Sequence, residues 1–571
     1  MKAVVRIITK KPQGEGFGFN NRTYLGYQYD LALLDQFNFN YRKGGFDLGG
    51  MLFGSDYKFE NNKIITQKTY LDKVWTQNSD MKNPTHSQYL SAMLSLNYQF
   101  NENHVMGVRY DFNRSPKTEM RAYMNSSIHV DNLLEEESKS KLHSNTTNNS
   151  HTVNAYYNGS FNDWKVDFNV DGMWIDNNNP TVSEENVKKP DNTEDNRIIH
   201  TLGNSSNELY AAKLIMDHPL WGGSFSIGSE YTYSNRIDRY ANDENIIPDN
   251  ENRIRENAVS AFAMYARSFG QLQAQAGVRY EHLGSDYYEF GKRMDEQSRT
   301  YDNVFPSISI SYPIGKVQMM LSYSGNIERP SYNNLSSSII YANKYTYESG
   351  NPFLRSSILN TLSFNTSWKW LYFSMNYSHI KDMQTQISQS YSDEDPSISL
   401  FTHTNVPKMD KLNATLSASP TIGIWSPQFT AMYSQQWLVM DTPDGPKNLN
   451  NPIGYFQWNN TFSFHKKFQF SIDLETSTRG EDITYRTIKP GSSVNLSLYK
   501  GFFKGKLSVQ LQANDIFNTS SSDILLYSGN RIMIYEPESR RSFSMTVRYK
   551  FNATKSKYKG TGAGDSQKSR M

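Results

Sequence analysis

A transmembrane antiparallel β-barrel of about 22 strands, with short turns at one rim and long loops at the other, is the all-β fold class that this 571-residue sequence predicts. Three observations lead there. Segment after segment alternates apolar and polar residues with period 2, the mark of a strand with two different faces. Aromatic residues make up 14% of a chain whose mean hydropathy is only −0.69. Short turns and long polar connections also alternate along the chain, and a soluble sandwich has no reason to sort its loops by parity.

Composition removes several classes. No apolar run of about 18 residues exists, so helical membrane spans are excluded. The 38 Tyr, 31 Phe and 9 Trp suit the interfacial girdles of a barrel, and equally a soluble or secreted all-β carbohydrate-binding protein, which stays open as the alternative. Lys and Arg number 59 against 57 Asp and Glu, and they are scattered, so no basic footprint for nucleic acid is present. The chain has no cysteine, which excludes disulfides, cysteine-ligated metals and cysteine nucleophiles. No leader pattern is read at its start, so the expectation is either a mature or truncated chain or one that is not exported.

Taken in order, the chain reads as a strand over 16–27, a short connection near Gln28, and a return through 31–41 into the tight turn 42–45. Further tight turns fall at 100–103, 162–163, 219–223, 270–271, 313–316, 368–370, 420–427, 465–467 and 501–505. Between them lie connections rich in Asn, Asp, Ser and Lys at 58–85, 114–150, 177–207, 236–253, 284–301, 327–357, 388–397, 440–451, 478–492 and 515–538. Ten tight turns and eleven connections require 22 strands with both barrel ends on the tight-turn side. Residues 62–76 and 118–130 are themselves strand-like and are expected to project beyond the membrane.

Alternation is clearest where Leu90, Ala92, Leu94, Leu96 and Tyr98 interleave with polar neighbours, and again around Ile308, Ile310 and Tyr312. The polar face is mostly Ser, Thr, Asn and Gln, which suits a wet lumen better than a dry core. The last strand, 541–551, puts Phe543, Met545, Val547, Tyr549 and Phe551 on one face and Ser542, Ser544, Thr546, Arg548 and Lys550 on the other. Its apolar residues are expected to face lipid and its edge to close the barrel on the first strand.

Several stretches then carry a family resemblance: Val4 to Lys11, residues 323–330 leading to Ser349-Gly350-Asn351-Pro352-Phe353-Leu354-Arg355, Asn514-Asp515-Ile516-Phe517-Asn518, and the closing strand. With these the chain resembles the TonB-dependent receptor superfamily, in its outer-membrane β-barrel branch, over about residues 1–551. The resemblance implies an outer-membrane location, assembly by the barrel assembly machinery, contact with outer-membrane lipid, and energised uptake of a scarce solute such as an iron chelate, glycan or peptide. Coupling to TonB would run through a plug. Residues 1–11 would be the remnant of that plug's last strand, 12–551 the barrel and 552–571 a disordered periplasmic tail. The expectation is therefore a barrel lacking most of its plug, open unless a loop such as 114–150 folds inward.

For ligand contact, Tyr332, Tyr341, Tyr345 and Tyr347 with Asn333, Asn334 and Asn351 give the 327–357 connection stacking surfaces and amides. The alternative is that these tyrosines pack the loop on itself. Asp243, Glu244, Asp249 and Glu251 are oxygen ligands without calcium-loop spacing, so a solvated surface is the simpler reading and no metal is expected. The eleven histidines are dispersed, and no nucleophile elbow or zinc-protease motif appears. His379 near Asp382 and His282 near Asp286 are isolated pairs. An outer-membrane hydrolase is the least favoured reading, and neither catalytic residues nor a cofactor are assigned. Sidedness is testable: an epitope inserted at Gly315 should be hidden from antibody on intact cells and revealed once the outer membrane is breached. Surface labelling there would invert the topology.

Overall fold

The computed structural model describes residues 15–554 and 556–571, without the side chain of Lys466. The plug strand expected at 1–11 lies outside the described residues. Among those described, 22 antiparallel strands close into one barrel, as the turn count predicts. They are β1 (Gly16–Tyr27), β2 (Leu31–Lys43), β3 (Phe46–Glu60), β4 (Pro84–Gln99), β5 (His104–Val130), β6 (Leu133–Phe161), β7 (Trp164–Lys188) and β8 (Glu194–Leu220). Next come β9 (Gly223–Asn242), β10 (Asn250–Phe269), β11 (Leu272–Glu289), β12 (Arg299–Ile314), β13 (Val317–Glu328), β14 (Ser357–Trp368) and β15 (Leu371–Ser390). The circuit ends with β16 (Ser399–Ala418), β17 (Trp425–Trp437), β18 (Ile453–Phe464), β19 (Phe468–Ser477), β20 (Ser492–Phe502), β21 (Leu507–Asn514) and β22 (Ser542–Phe551). Each pairs with its neighbours in sequence, and β22 pairs with β1 from Phe19↔Phe551 to Tyr27↔Phe543.

Outward and inward faces divide as the alternation requires. Leu94, Leu96, Phe543, Met545, Tyr549 and Phe551 stand exposed on the outer wall, with Val547 on the same face. Two aromatic rings bound this apolar belt. At the tight-turn rim Phe100, Phe161, Trp221, Phe269, Trp370 and Phe503 are exposed. Further along the strands stand Tyr110, Tyr210, Tyr231, Tyr280, Tyr377 and Tyr433. The rings are separated by about 10 residues, the length of tilted strand that crosses a bilayer. A soluble protein would not carry so large a continuous exposed apolar surface, which removes the carbohydrate-binding sandwich as the fold. The tight-turn backbone needs left-handed residues, and Gly270 (φ 63°) supplies one in the two-residue link from β10 to β11.

The pieces expected to be strand-like, 62–76 and 118–130, are strands, and the regularity reaches further into the long connections than that. The stretches 114–150 and 177–207 are regular β-ribbon rather than mobile polar loop: β5 to β8 run 27, 29, 25 and 27 residues and stay paired almost to their tips. About 10 residues cross the membrane, which leaves roughly 15 residues, about 50 Å of strand, beyond it. Hairpins from other connections join this wall. Lys63–Tyr70 pairs with Arg531–Pro537, and Val74–Lys82 pairs with upper β5. Buried clusters such as Ile199, Tyr240, Ile247, Tyr341 and Tyr347 knit the hairpins together. Hydrophobic contact and cross-strand pairing order these stretches despite their polarity. The 114–150 ribbon consequently does not fold inward.

The second correction concerns residues 552–571. They do not form a disordered periplasmic tail; the described residues run along the inner wall. Thr554 N donates to Asn40 Oδ1 (3.1 Å), Lys557 N to Asp47 Oδ1 (3.0 Å), and Thr561 N to Asn169 Oδ1 (3.0 Å). The Tyr558 ring meets that of Tyr156 edge-on at 4.9 Å, and Ala563 is fully buried. The segment has no apolar periodicity of its own. The polar wall supplies side-chain acceptors for its backbone N–H groups, which an isolated chain would leave to water.

Two outcomes follow. Val547→Arg, on the lipid face, should cost up to about 2–4 kcal/mol near the mid-plane, while Thr546→Arg, facing the lumen, should cost little. Heat-modified gel mobility reads the difference, and equal effects would defeat the register. Beyond the membrane, His200 Nδ1 lies 2.7 Å from Glu244 Oε1, which raises the His200 pKa and holds that of Glu244 below its usual value. The histidine's contribution is full below about pH 6.5 and lost as pH rises through its raised value; the carboxylate's is present above about pH 4.5 and lost below. His200→Ala should therefore speed protease cleavage within 242–253 at pH 5.5 and leave it unchanged at pH 8.5.

Candidate ligand site in the lumen

Strand parity builds the site. On β9, Ser234, Arg236 and Asp238 point inward and are buried; on β10, Ile254 and Glu256; on β11, Glu281 and Leu283. Charges at i and i+2 share a strand face, so Arg236 lies against Asp238 on its own strand, Nε and Nη2 donating at 2.8 and 2.6 Å. The connection after β13 lies across these side chains. There Ser331 caps a single helical turn, Tyr332–Leu335, its hydroxyl accepting from Asn334 N at 3.2 Å.

Glu256 is the centre of this cluster. Its Oε2 accepts from Tyr332 OH (2.9 Å) and Arg570 Nη1 (2.5 Å), and its Oε1 from Arg570 Nη2 (3.0 Å). Arg570 also donates from Nε to the Pro330 carbonyl (2.8 Å), and its guanidinium lies 4.3 Å from the Tyr332 ring centre. Ser234 Oγ is 2.6 Å from Tyr332 OH. Beside them Arg329 pairs with Glu281 and donates to Ser566 Oγ at 3.0 Å. Burial, with Arg570 close by, brings Arg329 down to about 10, and burial beside Glu256 pushes the Tyr332 hydroxyl up. At neutral pH the arginines remain cations and the tyrosine a neutral donor. The arrangement holds the planar guanidinium of Arg570 between a carboxylate and an aromatic face.

The structure splits the predicted ligand residues. Tyr332 and Asn333 belong to this cluster, Asn333 Oδ1 accepting from Arg236 at 2.5 Å. Asn334 and Asn351 close the loop instead: Asn351 N donates to the Asn334 carbonyl (2.6 Å), and its Nδ2 donates to the His403 carbonyl (2.9 Å). Tyr341 and Tyr345 donate to Glu185 and Glu136 at 2.5 Å each, and Tyr347 packs edge-on against Tyr391 at 4.8 Å. Those three anchor the hairpin Ile339–Asn343 and Thr346–Ser349 to the projecting ribbons. Sequence reasoning missed Glu256, Glu281 and Arg570. For the two glutamates the available signal was a carboxylate on the inward parity of its strand, Glu256 in step with Ile254 and Glu281 with Leu283; nothing local marked Arg570.

The other suspected constellations resolve into separate pairs. His379 lies 2.8 Å from Asp410 rather than near Asp382, and His282 lies 2.9 Å from Asp302 rather than Asp286; both are exposed among the outer tyrosines. Asp249 accepts from Asn242 N at 2.8 Å, and Glu251 pairs with Arg239 at 2.8 Å, so the acidic loop's carboxylates turn to different partners. Among the described residues no three His, Asp or Glu side chains are grouped to hold a metal.

With this geometry in view, the comparisons with known proteins are informative. No curated protein matches the chain. Among solved structures, the ferric enterobactin receptor PfeA of Pseudomonas aeruginosa is similar over 95% of this chain and 81% of its own, with 12% identity and a TM-score of 0.56. The siderophore receptor PirA of the same organism covers 95% and 82%, with 11% identity and a TM-score of 0.54. The FrpB iron transporter of Neisseria meningitidis covers 95% and 83%, with 10% identity and a TM-score of 0.59. At such identities the likeness is one of fold. Sequence itself carries the family: the profile described as "Outer membrane protein beta-barrel family" matches residues 162–549, more than half the chain. The girdled 22-strand wall and this match lead to one conclusion: the chain belongs to the outer membrane protein beta-barrel family and resides in the outer membrane.

Proposed function

We propose that this chain is the barrel of an outer-membrane receptor for uptake of a scarce solute, an iron chelate, a glycan or a peptide, and that it is a transporter rather than an enzyme. The observation that carries the reading is a closed wall of 22 strands around a polar, charge-bearing lumen. Barrel diameter grows with strand number; 16 to 18 strands already leave a water-filled channel, and 22-stranded transporters hold a plugged lumen. A wall of that circumference serves passage of something larger than an ion. The solved structures of like fold are named as iron and siderophore receptors, which supports import as the direction of traffic. TonB would energise the barrel through a plug domain seated in this wall, and the barrel assembly machinery would insert it.

The test is growth of a deletion strain on a panel of iron chelates, glycans and peptides supplied as the only source of the limiting nutrient. A defect confined to one class, restored by the wild-type gene and not by Val547→Arg, is the expected result. Equal growth on every member of the panel would remove the uptake reading.

A further inference from the structure

We propose that the lumen wall between Asp171 and Glu256 is a seat for a basic, arginine-bearing peptide, filled in this structure by the chain's own segment 561–571 as a tethered occupant. As a statement about the transported solute this rests on the uptake reading; as a binding site it stands on geometry.

The seat recognises backbone, cation and small side chains separately. Asn169 Oδ1 accepts from Thr561 N (3.0 Å) and Gly562 N (3.1 Å), Asp171 Oδ1 from Ala563 N (3.0 Å), and Glu230 Oε1 from Gly564 N (2.5 Å). These contacts use only peptide N–H groups, so another peptide with glycine at the same two left-handed positions reproduces them. The wall is close here: a Cβ on Gly564 would come within 2.8 Å of the Ala211 side chain, and Gly562 and Gly564 both have φ near 73°. Small residues are therefore required ahead of the charges. Two buried carboxylates then each take one cation: Asp171 Oδ2 accepts from Lys568 Nζ at 2.6 Å, and Glu256 takes the Arg570 fork. Two-point bonding to Glu256, a third bond to the Pro330 carbonyl and the face of Tyr332 fit a planar guanidinium and not an ammonium.

The occupant is removable. Segment 561–571 pairs with no strand, so its departure breaks no rung of the barrel. Departure does strip Asp171 and Glu256 of Lys568 and Arg570. Arg329 and Arg279 stay with Glu281 (Arg279 at 2.9 Å), and Arg279 lies 3.9 Å from Glu230. The segment itself covers these two carboxylates, so its departure leaves them facing the lumen as an anionic site that attracts a cation. Two carboxylates favour a cationic competitor over a neutral or anionic one, and an arginine-bearing peptide competes for the same fork on Glu256.

The experiment measures fluorescence anisotropy of a fluorescein-labelled, end-blocked peptide, Gly-Ala-Gly-Asp-Ser-Gln-Lys-Ser-Arg-Met, titrated with the purified chain in detergent. Heat-modified mobility confirms that each variant is a folded barrel. Arg570→Ala, which weakens the tethered competitor, should bind the peptide at least about tenfold more tightly than wild type. Replacing the peptide's arginine by glutamine should abolish binding, as should adding Glu256→Gln to the Arg570→Ala chain; Asp171→Asn provides a second variant, expected to weaken it. Equal affinity for wild type and Arg570→Ala, indifference to the peptide's arginine, or no binding to any variant would each overturn the proposal. The assay involves no transport, so intact binding beside a growth-neutral deletion would keep the seat and remove only the uptake reading.

Discussion

The structure depends on one pairing, that of β22 with β1. Within a bilayer a backbone N–H or C=O has no water to turn to, so an open sheet edge there is forbidden and only closure satisfies every group. The rungs from Phe19↔Phe551 to Tyr27↔Phe543 supply that closure. Once the sheet closes, every strand has an inside and an outside, and one alternating pattern assigns half the side chains to lipid and half to the lumen. The tight turns gather at one rim because all strands end together there, and the connections at the other rim are free to lengthen.

That freedom is used to build structure rather than flexible loops. Strands β5 to β8 continue as ribbon well past the membrane, and hairpins from distant connections join them through backbone pairing, even a short parallel pairing of Thr346–Glu348 with Ser399–Phe401. Outside the bilayer these sheets can shed water from one side only, so they bury clusters such as Met383, Met409, Leu438, Leu449 and Tyr527. The tyrosine-rich connection after β13 takes part in both arrangements. Its hairpin tyrosines lock to Glu136 and Glu185, while Tyr332 reaches down to Glu256.

Glu256 thereby couples three parts of the molecule: the wall that carries it, the loop that supplies Tyr332, and the segment that supplies Arg570. Buried ion pairs are weak sources of net stability, because desolvation offsets much of their attraction, but breaking one from a single side is expensive. Such a centre fixes which groups can stand together in the lumen more than it adds to the strength of the fold. Arg329, held between Glu281 and Ser566, ties the same loop and segment a second time.

The sequence by itself determined the strand number, the rim that carries the tight turns, and the lipid-facing residues of the closing strand. These are readable because period-2 alternation and turn chemistry are local, and closure imposes them on every strand alike. It also singled out the 327–357 connection, whose aromatic and amide side chains need partners, without saying which partners they find. It left open whether Tyr341, Tyr345 and Tyr347 pack or bind, because the partners of the first two, Glu185 and Glu136, stand 156 and 209 residues away and Tyr347 meets Tyr391 of another connection. Only the tertiary structure decided the place of the described residues among 552–571. A polar, glycine-rich stretch has no internal reason to be ordered, and its order comes from acceptors on Asn40, Asp47, Asn169, Asp171 and Glu256, which meet on one inner wall only after the barrel has closed.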